Sequence, residues 1–120
     1  MDKAQQLADR YVAVWNETDA TGRRQTIADL WTPEGEHYVG AREVRGYAAL
    51  EERIRGSYEK SVRDGGYRFR AVKDAQALRD VVTFHWEMAP ADNEKVAASG
   101  FIFLFVDGQG HIRVDYQFFD

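Results

Sequence analysis

The sequence predicts an α+β fold in which three N-terminal helices are followed by an antiparallel sheet. In the first half of the chain, apolar residues recur every three or four positions, which is the spacing of amphipathic helices. In the second half, apolar and polar residues alternate, or form short apolar runs between turn sequences, as in strands joined by hairpins. A chain of 120 residues has room for one such unit, so we assign residues 1–120 to a single domain.

The composition excludes several classes of protein. Hydrophobic residues make up 44% of the chain, which predicts a folded domain rather than a disordered segment. The formal net charge of -4 argues against nucleic acid as a partner, because nucleic-acid binders neutralise phosphates. The absence of cysteine excludes disulfides and thiol chemistry. The first residues form no apolar signal sequence, and the longest apolar run, at 101–106, is far shorter than the ~20 residues of a membrane helix. We therefore expect a cytoplasmic protein without a membrane partner.

The first two helices are predicted from their apolar stripes. Residues 3–17 carry one such stripe, formed by Ala4, Leu7, Ala8, Tyr11, Val14 and Trp15. A second helix is predicted at about 21–31, and Asp19 or Thr21 can cap it, because a short side-chain oxygen satisfies a free backbone N–H. Pro33 begins a turn sequence that is expected to end this helix.

A short strand at 36–39 and a loop lead to the third helix, which is predicted at about 47–63. Its buried stripe consists of Tyr47, Leu50, Ile54, Tyr58 and Val62. Glycines at the end of the segment 64–66 stop it. Four strands are predicted in the remainder of the chain, at 67–71, 81–88, 95–106 and 111–119.

The apolar run at 101–106 predicts a homodimer. This strand is apolar on both faces, whereas in an antiparallel strand with one solvent-exposed face apolar and polar residues would alternate. One face can pack on the helices, and the other, which carries three phenylalanines, needs a cover. If Asp115 points inward on the last strand, Tyr116 and Phe118 point outward and extend this aromatic surface. We therefore expect two copies of the chain to associate through the outer face of the sheet.

Four segments together resemble the SnoaL-like group of the nuclear-transport-factor-2-like superfamily, which includes polyketide cyclases and is related to ketosteroid isomerases. The segments lie at 10–16, 30–39, 44–50 and 107–112, the last together with the ending 118–120. The resemblance spans nearly the whole chain. It implies a cystatin-like cone, in which a curved antiparallel sheet wraps around the three helices and encloses a pocket. Because this fold includes enzymes of several classes and non-catalytic binders, the resemblance is more specific for fold than for activity.

Tyr11, Asp115 and His37 are the candidate catalytic residues. The resemblance implies that the Tyr11 hydroxyl holds a negative charge on a substrate oxygen and that Asp115 exchanges protons. Val39 stands where relatives place a basic aspartate, and His37 shares the orientation of Val39, so His37 is a candidate auxiliary base. Each residue also has an interpretation without a catalytic role: Tyr11 lies in the core, Asp115 lies on a solvent-facing surface of its strand, and His37 is exposed or lies at the rim of the pocket.

The resemblance also implies a ligand-binding pocket, and the candidate lining residues are Trp15, Phe84, Trp86, Ile102, Gln117 and Phe119. Ile102 stands near the position of a second family acid, which argues against steroid-type isomerisation. Our first hypothesis is a domain that binds a small apolar molecule without the usual carboxylate base. The alternative is a cofactor-free cyclase, isomerase or hydratase of a polyketide- or terpenoid-like substrate, with Asp115 as the acid and base. A third possibility is a purely structural dimer module. No metal or cofactor is expected, because the three histidines are scattered.

Overall fold

Three helices pack against one face of a curved seven-stranded sheet in a computed structural model of the chain, which describes residues 2–120. The helices are α1 (Lys3–Trp15), α2 (Ala20–Leu30) and α3 (Tyr47–Ser57), which continues as a π-helical turn, Tyr58–Arg63. The strands are β1 (Trp31–Val39), β2 (Arg42–Arg45), β3 (Tyr67–Ala71), β4 (Gln76–Leu78), β5 (Val81–Pro90), β6 (Ala98–Val106) and β7 (Ile112–Phe119). The predicted α+β architecture is confirmed; of the predicted domain, Met1 lies outside the described residues.

The sheet is mixed rather than wholly antiparallel, and this corrects the sequence-based expectation. The strand order is β2-β1-β7-β6-β5-β3, and β4 pairs with β5 beside β3. All neighbouring strands are antiparallel except β1 and β7, which run parallel with His37 opposite Asp115. Periodicity identifies a strand but not its partner, and the partner of β1 lies at the far end of the chain. The rest of the chain therefore forms the long connection that a parallel pair requires.

Strand β1 begins directly after α2, at Trp31 rather than at residue 36. The segment around Pro33 and Gly35 is not a turn but an irregular stretch inside β1, where the register against β7 shifts. Gly35 is required there because a β-carbon would lie 2.7 Å from the Trp31 side chain. Strands β2 and β4 were not predicted, since both are short and exposed and lack an alternating pattern.

The helix caps and the core follow the sequence closely. Asp2 accepts a hydrogen bond from Ala4 N, and Asp19, one of the two predicted caps, accepts one from Gly22 N. Most residues of the predicted apolar stripes face the sheet and join the inner face of β5 and β6 in one core, whereas Tyr58 and Val62 of the third stripe lie outside it. Within residues 2–120, no helix is long and apolar enough to cross a membrane.

An irregularity in β7 decides which residues of the last strand face the core. Ile112 and Asp115 are both fully buried, although they have opposite parity. The register between β6 and β7 shifts by one residue between Phe105 and Val106, so β7 contains one extra residue near Val114. Beyond this bulge Asp115 points inward and Tyr116 points outward. Ordinary alternation from Ile112 would have turned the Asp115 carboxylate to solvent.

Candidate active site

Asp115 lies at the centre of a buried polar cluster. Its Oδ1 accepts a hydrogen bond from the Tyr11 hydroxyl at 3.1 Å, and its Oδ2 accepts one from Trp31 Nε1 at 3.0 Å. His37 Nδ1 makes a third, short contact with Oδ1. The Asp115 side chain is fully buried, so these three donors replace the water that a carboxylate would otherwise bind. Both carboxylate oxygens of Asp115 therefore have hydrogen-bond partners inside the protein.

His37 is held between Asp115 and Arg53. The parallel register of β1 and β7 places His37 beside Asp115, and the imidazole is fully buried. On the far side of the ring, Arg53 Nε donates to His37 Nε2 at 3.4 Å. An arginine nitrogen only donates, so Nε2 is the accepting nitrogen and Nδ1 carries the hydrogen that is donated to Asp115. The ring is therefore fixed in one tautomer, and the lone pair of Nε2 points toward Arg53.

Arg53 is one of the side chains that separate this cluster from the open part of the protein. It lies on α3, is half-buried, and stacks over the Trp15 ring at 5.0 Å. Burial lowers the pKa of Arg53, and the positive charge of nearby Arg42 lowers it further. Arg53 was not among the site residues predicted from the sequence. The residue follows the buried Leu50 by three positions, and this spacing is the signal that could have placed it beside the inward stripe.

Tyr11 is buried in α1 and is part of the wall between the cluster and a cavity. Burial and the negative charge of Asp115 raise the pKa of the Tyr11 hydroxyl well above 10.0. The phenol is therefore a hydrogen-bond donor, and its hydrogen is directed to Asp115. To donate to a substrate oxygen, the Tyr11 hydroxyl has to give up its hydrogen bond to Asp115.

The raised pKa of Tyr11 predicts a loss of stability at alkaline pH. Above about pH 10 the phenol ionises in the unfolded chain but stays protonated in the folded one. Unfolding then releases a proton, so this group lowers the free energy of unfolding by about 1.4 kcal/mol per pH unit. Urea unfolding between about pH 9 and 11 should show a shallower pH dependence in Tyr11→Phe than in the wild type. Equal slopes would contradict the raised pKa.

A cavity of about 1010 Å³ opens beside the cluster, between α1, α3 and the inner face of the sheet. Five of the six predicted ligand-binding residues line it, namely Trp15, Trp86, Ile102, Gln117 and Phe119. The sixth, Phe84, is not in its wall: it packs edge-on against Tyr11 in the core, at 5.7 Å between ring centroids. His37 and Asp115 also lie behind the wall rather than in it. Three lining side chains contact them: Tyr11 and Arg53 through hydrogen bonds, and Trp15, whose ring lies 5.6 Å from the His37 ring between centroids.

Trp31 is the second site residue that sequence analysis did not select. Its indole N–H is one of the three donors to Asp115, and its side chain is fully buried. Trp31 is the last residue of the helix predicted at about 21–31, and a pattern of hydrophobicity does not reveal a hydrogen bond. Within residues 2–120, no group of three or more His, Asp or Glu side chains is arranged to hold a metal ion.

Comparisons with solved structures place this fold among SnoaL-like and nuclear-transport-factor-2-like proteins. A SnoaL-family protein from Agrobacterium tumefaciens strain C58, for which isomerase activity is suggested, superimposes with a TM-score of 0.87 at 22% identity, covering 100% of this chain and 99% of that one. A nuclear-transport-factor-2-like protein of unknown function from Exiguobacterium sp. 255-15 gives 0.72 at 17% identity, over 95% and 98% of the two chains. A SnoaL-like protein of unknown function from Burkholderia thailandensis E264 gives 0.70 at 12% identity, over 100% and 98%.

The resemblance stated from four sequence segments is thus confirmed at the level of the fold. No protein-family model matches the sequence, and no curated protein matches it. At these identities the comparisons define a SnoaL-like fold and do not assign an activity, so the function has to be argued from the site itself.

Proposed function

We propose that the chain binds a small, largely apolar molecule in its cavity and transfers a proton on it, with His37 as the acid and base. The observation that carries this proposal is the arrangement of the His37 ring between Asp115 and Arg53. The reaction class that suits it is removal of a proton from a carbon next to a carbonyl and its return elsewhere, as in isomerisation or cyclisation. Such a step needs an acid–base group and a dry pocket.

The cavity supports the binding part of the proposal. A volume of about 1010 Å³ is at the upper end of the range for small-molecule sites. Trp15, Trp86 and Phe119 contribute aromatic surface to its wall, and Met88 and Ile102 contribute aliphatic surface. A filled cone would have favoured a purely structural module, whereas a cavity of this size favours a ligand.

The His37–Asp115 pair supports the proton transfer. Asp115 accepts the Nδ1 hydrogen and stabilises the imidazolium that forms when Nε2 takes a proton, which makes Asp115 a positioning residue. Only Arg53 occupies the Nε2 position, and Arg53 itself lines the cavity. Rotation of this one side chain would open Nε2 to a bound molecule. The proton then passes from substrate carbon to Nε2 and back to the substrate, so the step needs no redox partner.

Binding without catalysis is the second candidate function, and it has its own supporting observation. His37 is fully buried and its lone pair already accepts from Arg53. If Arg53 stays in place with a ligand bound, the cluster is only the floor of a binding site. Val39 and Ile102, which line the cavity without a carboxylate, fit this interpretation.

Deuterium exchange separates the two candidates. Simple cyclic ketones and β-keto esters are incubated with the protein in D₂O, and exchange next to the carbonyl is followed by NMR. Proton transfer by His37 predicts catalysed exchange that falls roughly 100-fold or more in His37→Gln. The matched control, His111→Gln, changes a half-buried histidine in the turn before β7 and should keep the wild-type rate. Saturable binding with no exchange, or equal rates in wild type and His37→Gln, would leave binding as the function.

We further propose that the chain forms a homodimer through the outer face of the sheet. Phe101, Phe103 and Phe105 point away from the helices on β6 and are half-buried, and Tyr116 and Phe118 are exposed beside them on β7. Phe103 lies 5.2 Å from Phe105 and 6.4 Å from Tyr116 between ring centroids, so the rings form one continuous patch. A patch of this kind on a sheet is a self-complementary surface for a second copy.

A further inference from the structure

We propose that the ligand of the cavity is an organic carboxylate whose charged group binds Arg53 and whose apolar body lies against Trp15 and Trp86. This inference rests on the ligand-binding part of the proposed function and not on its proton transfer. It assigns a chemical class to the ligand, and it gives Arg53 a binding role.

The first support is the absence of acidic partners for the basic side chains of the cavity. Arg42, Arg53 and Lys60 line it, and none of them forms an ion pair with an acidic side chain among residues 2–120. Buried Arg23, by contrast, has such a partner, Glu51 at 3.3 Å. The wall of the cavity therefore carries three positive side chains that no acidic side chain pairs with directly.

The second support is the position of Arg53. Arg42 and Lys60 are exposed at the mouth, whereas Arg53 is half-buried over the indole of Trp15. Holding a guanidinium in such surroundings without a directly paired carboxylate is unfavourable, since Asp115 acts on Arg53 only across His37. Burial is the main cause of the lowered pKa of Arg53. A ligand anion would offset the cost.

The geometry of the guanidinium points to a carboxylate in particular. Only Nε is engaged, by His37, so the two terminal nitrogens remain for a paired hydrogen bond to two oxygens of one group. The lining side chains of Glu43 and Glu52 leave the wall with one net positive charge, which matches a monoanion better than a dianion. Behind Arg53, the aromatic wall suits an apolar body.

Matched pairs of acids and amides test the inference. Cinnamate and decanoate, each with its neutral primary amide, are titrated into the full chain by calorimetry at low salt. Because an amide keeps the shape and loses the charge, we expect each acid to bind about tenfold or more tightly than its amide. In Arg53→Met the preference for the acid over the amide should disappear. In Arg53→Lys, which keeps the charge but loses the paired terminal nitrogens of the guanidinium, part of the preference should remain.

The matched control is Arg55→Met, which removes an exposed arginine from the same helix outside the cavity wall and should leave the preference unchanged. Circular dichroism confirms that each variant is folded. Equal affinity for acid and amide would overturn this inference while leaving a binding cavity. A preference that survives in Arg53→Met, or failure of every acid to bind, would overturn it as well. If deuterium exchange did not depend on His37 while the acids still bound through Arg53, only the proposed proton transfer would be contradicted.

Discussion

Replacing Asp115 with alanine should lower the free energy of unfolding by about 3–5 kcal/mol, because a buried charged group would be removed from the partners built around it. The substitution leaves the Tyr11 hydroxyl, the Trp31 indole N–H and His37 Nδ1 without an acceptor in a site that excludes water. Urea unfolding followed by circular dichroism measures the change.

Asp115→Asn should cost less, about 1–3 kcal/mol. Its amide oxygen can still accept from Tyr11 and His37, but the amide NH₂ then faces the Trp31 N–H, so two donors meet. The surface control is Asp80→Ala, an exposed carboxylate 3.6 Å from Arg113, which should change stability by less than about 0.5 kcal/mol. If Asp115→Ala were no more harmful than this control, the polar cluster would not hold the fold together.

Phe103→Glu should convert the proposed dimer into a folded monomer. Phe103 is the centre of the aromatic patch, with Phe105 and Tyr116 beside it, and a carboxylate there would be buried without a partner between two copies. We expect the dissociation constant to rise roughly 100-fold or more. Within one chain the side chain is only half-buried on the outer face, so the fold should survive. Sedimentation velocity at micromolar concentration measures the association.

Val96→Glu is the matched control for the patch. Val96 is an exposed apolar residue, 42% accessible, between β5 and β6, and a charge there should leave the association unchanged. A wild-type chain that sediments as a monomer would contradict the dimer. An unfolded Phe103→Glu variant would mean that this face belongs to the core of one chain.

The helices and most strands were predictable because local spacing carries their information. The stripe that includes Tyr11 and Trp15 repeats every three or four residues, so it identifies a helix and its buried face without knowledge of what covers that face. In the same way, the apolar run on β6 identified a strand whose two faces are both apolar, so that each face packs against other residues or against a partner. Tyr11 and Asp115 were selected by resemblance, and His37 was selected because it shares the orientation of Val39 on the same strand.

The contacts among those residues were decided by the tertiary structure. Parallel pairing of β1 with β7 brings His37 beside Asp115 although they are 78 positions apart, and no local pattern encodes the partner of a strand. The bulge in β7 turns Asp115 inward, against the parity that Ile112 would set. The sequence by itself determined the three helices and most of the strands, but not the short exposed strands β2 and β4. Which strand pairs with which, and in what register, depends on backbone hydrogen bonds between distant segments, and these placed the carboxylate, the imidazole and Arg53 in one cluster.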